Sequence, residues 1–325
     1  AVEQVMAGED CTHFSDINGA VEELPRVLST PTHFAYLRIA EGCSNSCAYC
    51  IIPKLRGRYR SRPMEDILTE ARALAADGVK ECIVIAQDIT RYGIDLYGKV
   101  CLTELLKELC KLDFRWVRLH YLYPELIDDE LIDEIASEDK IVKYLDIPIQ
   151  HINDTILRRM NRRGTGEEIR ALFKKLRERI PGLVLRTSLI TGLPGEGEAE
   201  FEELCDFLRE AKIERAGVFP YSPEEGTPAA LMPDRCSTEE AQRRAELCME
   251  IQAEIMDGFA ETFIGRELDV LVMGREPDGT PWGRSEYDSP DIDSRVIFSG
   301  GAAPGDMVRV RIDSVDDGEL IGEQI

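Results

Sequence analysis

The sequence lacks several features that would place the protein in particular classes. No stretch approaches the roughly 18 uncharged apolar residues of a membrane-spanning helix, and residues 1–16 have no basic or apolar segment of the kind that opens a signal peptide. Positive charge is scarce, with 39 Lys and Arg against 62 Asp and Glu, a net charge of −23. This balance argues against a general nucleic-acid binder and against docking on anionic lipid, because both need excess basic groups. We therefore expect a cytoplasmic protein with either a merely solvated acidic surface or a basic partner.

The 325 residues correspond to about two domains. Apolar runs alternate with amphipathic stretches from residue 34 to residue 220, and the predicted strands are 35–39, 81–86, 116–121, 144–148, 183–190 and 216–220. Helical sequence follows each of the first five, which predicts an α/β fold with a parallel sheet. Six units are too few for a complete eight-unit barrel, so we expect a partial (β/α)6 TIM-like barrel with its chemistry at the carboxyl ends of the strands.

The pattern changes near residue 237. Ser237-Thr-Glu-Glu240 is a capping-box signature, and it predicts a long helix to about residue 262. Short β-like runs at 268–273, 296–298, 307–312 and 319–323 then predict a small all-β barrel. We therefore divide the chain into a remnant or linker (1–33), a core (34–236), a connecting helix (237–263) and a terminal barrel (264–325).

Three cysteines follow the first predicted strand with C-x3-C-x2-C spacing: Cys43, Cys47 and Cys50. Three thiolates on one loop can bind three irons of a 4Fe-4S cluster and leave the fourth iron open, as a catalytic metal site requires. A zinc site is the alternative, but it would need a fourth ligand nearby. No Cys or His lies within 25 residues after Cys50, and His33 is the one close candidate before Cys43.

This loop resembles that of the radical S-adenosylmethionine (SAM) enzymes, and further segments are similar to those of the methylthiotransferases within that group. These segments are 50–63 (CIIPKLRGRYRSRP), 86–88 (AQD), 147–151 (IPIQH), 160–164 (MNRRG) and 192–196 (GLPGE). The terminal barrel looks like a TRAM domain. The resemblance covers about residues 34–325.

The resemblance implies that SAM binds the open iron, and that one electron from the cluster releases a 5′-deoxyadenosyl radical. The resemblance, together with the positions of residues in and after the predicted strands, gives these candidate SAM contacts: Tyr49, Gln87, Asp88, Gln150, Arg186, Ser188 and Gly192. The glycine at 192 would permit close backbone approach to a ligand. We assign no catalytic residue beyond the cluster, and His151 suits a structural role as well as a catalytic one.

Methylthiotransferases also carry an N-terminal domain whose three further cysteines hold a second 4Fe-4S cluster, the source of sulfur. Here only Cys11 precedes Cys43, and the other cysteines lack cluster spacing. We therefore expect the SAM-cleaving core and TRAM domain without the sulfur-donor domain. The resemblance also implies an electron donor such as flavodoxin or ferredoxin.

Residues 54–62 hold five basic side chains on this acidic protein. These basic residues could form a cationic segment over the cluster that contacts an anionic substrate or an adjoining domain. They fit equally well a solvated loop held by a few salt bridges.

Two substrates divide the family: a tRNA adenosine for the MiaB-like branch, and an aspartate of the small-subunit ribosomal protein S twelve for the other. Residues 264–325 contain six Arg, no Lys and fourteen acidic residues, a net charge of −8. Such a barrel repels phosphate and suits a basic protein, so we favour the ribosomal-protein branch and expect no tRNA partner. Asp288, Asp291 and Asp293 are predicted to be exposed on a loop that contributes to this surface. A tRNA methylthiotransferase and a non-catalytic Fe–S fragment that binds ribosomal protein remain the alternatives.

Overall fold

The computed structural model describes residues 2–8, 16–19, 26–28 and 31–325. Cys11, the single cysteine before the predicted cluster loop, lies outside the described residues, as does much of the predicted 1–33 segment. None of the helices in the described ranges is long and apolar enough to cross a membrane.

In chain order, the helices are α1 (Val2–Met6), α2 (Ile52–Arg56), α3 (Met64–Ala76), α4 (Ile94–Tyr97), α5 (Leu102–Leu109), α6 (Asp129–Ser137), α7 (Asp154–Arg159), α8 (Gly166–Arg179), α9 (Glu198–Ala211) and α10 (Thr238–Glu261). The strands are β1 (Phe34–Arg38), β2 (Ala40–Glu41), β3 (Arg60–Ser61), β4 (Glu81–Ile85), β5 (Trp116–Leu119), β6 (Ile141–Asp146), β7 (Val184–Thr191), β8 (Arg215–Pro220), β9 (Glu267–Arg275), β10 (Pro281–Ser285), β11 (Val296–Ser299), β12 (Met307–Asp316) and β13 (Glu319–Gln324).

Six strands form the core sheet in the order β1-β4-β5-β6-β7-β8, and every neighbouring pair is parallel. Parallel neighbours need long crossovers, and the helices α3, α5, α6, α8 and α9 lie in these crossovers. Their apolar residues pack with alternate strand residues in one large core cluster. The predicted open (β/α)6 core is therefore confirmed.

The opposite face of this sheet, here called the inner face, carries polar groups. In β4, Cys82 and Val84 pack in the helix-covered core, whereas Glu81 is fully buried on the inner face. In β5, Arg118 is likewise buried on the inner face, because side chains alternate along a strand.

The strand predicted at 144–148 lies earlier in the chain, at Ile141–Asp146. Ile141 and Val142 are both buried and extend the apolar run that pairs with its neighbours. Pro148 has no backbone N–H to donate to the sheet, so the regular ladder ends before it.

The five C-terminal strands form a closed barrel in the order β10-β11-β13-β12-β9, which confirms the predicted small all-β barrel. The sequence pattern did not reveal β10, because Pro281 and Gly283 are residue types that strands disfavour. Strand β10 nevertheless pairs with β9 through a register shift between Trp282 and Gly283.

Helix α10 connects the two parts of the chain and begins after Ser237, as predicted. The Ser237 side chain accepts a hydrogen bond from the Glu240 N–H, which is half of the predicted capping box. The other half is not formed, because the Glu240 carboxylate binds Arg243 and Arg244 instead.

The barrel packs against the inner face of the core sheet through an apolar contact and a layer of buried ion pairs. Leu271 of β9 belongs to a cluster with four core residues: Trp116, Val142, Tyr144 and Val184. Beside it, Glu81 of β4 accepts hydrogen bonds from Arg118 of β5, at 2.6 Å, and from Arg284 of β10. Although burial opposes ionisation, these two guanidinium groups hold the pKa of Glu81 at about 2.

The prediction that Asp288, Asp291 and Asp293 are all exposed is wrong for two of them. Asp288 is 1% exposed, and Asp293 accepts a hydrogen bond from the Tyr144 hydroxyl at 2.6 Å. The loop after β10 turns into the interface, where Arg215 and the other inner-face cations attract its carboxylates. Only Asp291 is exposed.

Candidate active site

The three predicted cluster cysteines lie on one loop at the carboxyl end of the core sheet, directly after β2. Cys43 and Cys47 are buried and Cys50 is partly exposed. Gly42 begins the loop with φ +73°, and a side chain there would lie 2.2 Å from the Arg58 carbonyl oxygen. The local fold therefore requires glycine at this position.

Each of the three sulfurs has hydrogen-bond donors close by. The backbone N–H groups of Asn45 and of Ile52, at the start of α2, favour the charged forms of Cys43 and Cys50 and so oppose the rise in their pKa. The Tyr123 hydroxyl lies 3.8 Å from the Cys47 sulfur. Donors of this kind stabilise metal-bound thiolates, so the loop fits an iron–sulfur cluster.

Burial raises the pKa of the Cys43 and Cys50 thiols. They are therefore protonated at neutral pH until a metal displaces the protons. The zinc alternative would require several ligands converging on one ion. Within the described ranges, no group of three or more His, Cys, Asp or Glu side chains is arranged to hold one metal ion. A cluster differs in that each thiolate binds a separate iron.

Asp88, a predicted SAM contact, holds the cysteine loop. Its carboxylate accepts hydrogen bonds from Asn45 Nδ2 at 2.8 Å and from Thr90 Oγ1 at 2.5 Å. It also pairs with Arg91 at 3.2 Å. Burial raises the pKa of Asp88, and these partners oppose that effect. Asp88 therefore links the end of β4 to the loop between Cys43 and Cys47.

The neighbouring Gln87 has a different environment. Its Oε1 atom is buried and finds no hydrogen-bond partner within the described residues. A buried polar atom without a partner is a common mark of a missing ligand or water.

Gln150, in the segment after β6, meets Ser188 of β7 through the backbone. The Gln150 N–H donates to the Ser188 carbonyl oxygen at 2.9 Å, and Gln150 has φ +73°. Arg186, in contrast, is engaged on the inner face by Asp146, 2.8 Å away. Its guanidinium therefore already has a counter-charge within the chain.

Gly192, a predicted SAM contact, lies against the connecting helix. A side chain at this position would meet Ala241 of α10 at 2.4 Å, so the close neighbour is the connecting helix. The Gly192 N–H donates to Glu196, which also pairs with Arg244 of α10. His151 lies 3.4 Å from the same carboxylate group. The contacts around Gly192 and Glu196 therefore join the core to α10.

Tyr49 packs in a small apolar cluster with Ala48, Met160 and Leu193. Burial raises the pKa of its hydroxyl well above the ordinary value. Tyr49 is therefore a packed residue within the cysteine loop.

The basic run at 54–62 is largely tied down within the chain. Arg62 is buried and pairs with Glu70 at 2.7 Å, Arg56 pairs with Glu41 at 3.1 Å, and Lys54 donates to the Gly226 carbonyl oxygen. Arg60 donates to two carbonyl oxygens of the same loop. These contacts favour a loop held by salt bridges over a cationic segment that is free to contact a substrate or another domain.

Sequence reasoning missed Asn45, Tyr123 and Arg162 at this site. The Arg162 guanidinium lies 3.8 Å from the Cys47 sulfur and donates to the Pro148 carbonyl oxygen at 2.6 Å. Arg162 stands in the MNRRG segment, but nothing in the sequence separates it from Arg163, which is exposed.

Comparison with known proteins identifies the family. The Radical SAM superfamily model matches residues 37–208, and the TRAM domain model matches residues 264–325. The chain is 50% identical over 305 residues to the ribosomal protein uS12 methylthiotransferase RimO of Caldanaerobacter subterraneus subsp. tengcongensis, covering 93% of this chain and 70% of that protein. It is 51% identical over 306 residues to RimO of Geotalea uraniireducens, covering 93% and 68%. The chain belongs to the RimO family.

Family membership confirms the predicted resemblance to radical SAM methylthiotransferases and the predicted enzyme class. The superfamily's cofactors, SAM and a 4Fe-4S cluster, come with that membership. The two RimO proteins named above are longer than this chain, which spans about two thirds of their length.

Solved structures share the fold at low sequence identity. The radical SAM methyltransferase TsrM of Kitasatospora setae, solved with cobalamin and a 4Fe-4S cluster, superposes with a TM-score of 0.51 at 19% identity over 61% of this chain and 38% of its own. Coproporphyrinogen III oxidase (HemN) of Escherichia coli, also a radical SAM enzyme, gives 0.51 at 19% identity over 70% and 54%. The RimO family thus shares its core architecture with other radical SAM enzymes.

Proposed function

We propose that this chain is the catalytic part of an enzyme that methylthiolates an aspartate of ribosomal protein uS12. The observation that carries the proposal is the identity of about 50% to RimO proteins over 93% of the chain. The proposed site of action in the cell is the cytoplasm, where ribosomal proteins are found.

In this proposal, Cys43, Cys47 and Cys50 bind three irons of a 4Fe-4S cluster. The backbone N–H groups of Asn45 and Ile52 support this assignment, because they favour the negatively charged form of two of the sulfurs. When bound, the cluster and SAM supply the one-electron chemistry that generates a hydrogen-abstracting radical.

The SAM contacts are proposed from the residues beside this loop. Gln87 is the best supported, because its buried Oε1 lacks a partner among the described residues and could accept a hydrogen bond from SAM. Tyr49, Gln150 and Ser188 are proposed as further contacts. Asp88, Arg186 and Gly192, each of which is also engaged by other parts of the chain, complete the proposed set.

A second 4Fe-4S cluster, the source of sulfur, is proposed to reside in a domain that this chain does not include. Among the other described thiols, Cys205 and Cys248 lie near each other, with their sulfurs 3.9 Å apart on α9 and α10. Two thiols buried between helices do not form a cluster site. The proposed electron donor is a flavodoxin or ferredoxin.

The terminal barrel is proposed to recruit the basic uS12 protein by electrostatic attraction, and tRNA is not a proposed partner. Because the side chains of Asp288 and Asp293 are only 2% and 5% exposed, other acids must supply the surface charge, among them the exposed Asp291 and the pair Asp316–Asp317 in the β12–β13 turn. These three make no ion pair in the described part of the chain. The proposed units are residues 34–236, 237–263 and 264–325.

The decisive experiment is anaerobic reconstitution followed by incubation with SAM, a reductant and uS12. We expect 5′-deoxyadenosine to form, whereas mass spectrometry finds no methylthio group on uS12 because the sulfur-donor cluster is missing. A methylthio group added by this chain alone would show that the second cluster is dispensable. Absence of 5′-deoxyadenosine from the reconstituted protein would favour a non-catalytic Fe–S module, and stable tRNA binding at moderate salt would favour the tRNA branch.

A further inference from the structure

Arg162, just after α7, places a buried guanidinium against one of the cysteine sulfurs. The residue is 8% exposed, and its Nη1 lies 3.8 Å from Cys47 Sγ. Its Nη2 donates to the Pro148 carbonyl oxygen at 2.6 Å, and the guanidinium stacks 4.4 Å from the centre of the Tyr123 ring. These contacts fix the orientation of the guanidinium, with one edge toward the sulfur.

The charge of Arg162 has no carboxylate partner. Across the described ranges of the chain, no Asp or Glu oxygen lies within the 4.0 Å ion-pair distance of its guanidinium. Other buried arginines differ, since Arg118 pairs with Glu81 at 2.6 Å and Arg215 with Asp288 at 2.8 Å. A buried cation without a counter-charge is strongly unfavourable. We therefore infer that the negative charge that balances Arg162 is on the Cys47 sulfur.

We propose that Arg162 raises the reduction potential of the cluster held by Cys43, Cys47 and Cys50. The inference rests on the proposed cluster ligands and deepens their function. On reduction, one electron passes from the external donor to the iron–sulfur core, no protein bond forms or breaks, and the cluster becomes one unit more negative. A fixed cation at a ligating sulfur stabilises the reduced form more than the oxidised form, so reduction becomes easier.

Tyr123 contributes in the same direction as a neutral donor. Its hydroxyl lies 3.8 Å from the Cys47 sulfur, on the residue whose ring supports the guanidinium. Because a hydroxyl dipole is weaker than a full charge, its effect on the potential is smaller. Both residues act through Cys47 and are positioning residues.

The test measures the midpoint potential of the reconstituted cluster by EPR-monitored potentiometry without SAM. The variants are Arg162→Met, which removes the charge at similar volume, Arg162→Lys, which keeps the charge without the planar fork, and Tyr123→Phe. Arg163→Met is the matched control, because it removes the same charge from the exposed neighbour. We expect the potential to become most negative in Arg162→Met, less so in Arg162→Lys and Tyr123→Phe, and to stay unchanged in Arg163→Met.

The proposal is overturned if Arg162→Met holds a full cluster at the parent potential. It is equally overturned if the potential is unchanged and only SAM affinity falls, since Arg162 would then be a SAM ligand. If Arg162→Met retains no cluster, Arg162→Lys and Tyr123→Phe decide, and parent potentials in both would refute the idea. Iron and sulfide analysis of the parent protein tests the proposed cluster site separately. A parent protein that binds no cluster would contradict the cluster assignment, and not the role of Arg162.

Discussion

Arg215 of the core sheet and Asp288 of the terminal barrel form a buried ion pair, with Arg215 Nη2 2.8 Å from Asp288 Oδ1. The side chains are 5% and 2% exposed, so the pair is shielded from water within the contact between the two parts. Arg215 also lies 3.8 Å from Asp293. The barrel is thereby fixed to the inner face of the core.

Arg215→Met is expected to destabilise the protein by about 3–5 kcal/mol, because it leaves the Asp288 carboxylate buried without its partner. Denaturant unfolding followed by circular dichroism measures the change. Arg309→Met is the control, since Arg309 pairs with Asp269 at 2.9 Å on the exposed surface of the barrel and its loss should matter little. Equal unfolding midpoints for the two variants would contradict a central role for the buried pair.

Replacement of Cys43, Cys47 or Cys50 by Ala should remove the cluster, which contains about four irons when intact. Iron and sulfide analysis of the reconstituted variants measures this loss, and SAM cleavage should disappear with it. Cys110→Ala, which removes a buried thiol near the end of α5, should retain both properties. A full cluster in any of the three loop variants would show that the ligand assignment is wrong.

His120 makes the stability of the protein depend on pH. Burial, and then the charges of Arg118 and Arg186, lowers its pKa to about 3 from the ordinary 6.5. The folded protein keeps His120 neutral while the unfolded chain takes up a proton below pH 6.5, so stability falls as the pH drops. The loss between pH 7 and pH 5 should be about 2 kcal/mol from this residue.

The measurement is the free energy of unfolding of the parent and of His120→Gln at both pH values. The variant loses some stability at pH 7, because His120 Nε2 lies 3.0 Å from Ser289 Oγ across the contact with the barrel. Its decrease on acidification should nevertheless be smaller than that of the parent. An identical decrease in both proteins would rule out His120 as the source.

Reversal of Asp291, Asp316 and Asp317 to Lys should slow association with uS12, because exposed charges act mainly by steering the encounter. Association rates measured at low and moderate salt test this, and the difference should shrink as salt is added. Glu250, Glu254 and Asp257 on α10 offer a control set of exposed acids with the same charge change. If both triple variants associate at the parent rate, the acidic barrel serves only solubility.

The order of elements was largely readable from the sequence. The helical sequence predicted after the fifth strand is α9 in the structure, and the spacing of the three cysteines was enough to mark their loop. Periodicity and local motifs carry such information because they depend on residues close in the chain. The one barrel strand that was missed, β10, contains Pro281 and Gly283, and it is a strand because β9 and β11 pair with it.

The sequence by itself determined the parallel α/β core, the closed C-terminal barrel, the family and the three thiols. Only the tertiary structure decided which charged residues are buried. Asp288 and Asp293 look like solvated loop acids, yet they lie against Arg215 and Tyr144, 73 and 149 residues away. Arg162 likewise differs from Arg163 through its contacts with Cys47, 115 residues earlier, and with the Tyr123 ring. The energy of a charge depends on its distance to other charges and on the exclusion of water, and both are set by long-range packing that local sequence does not encode.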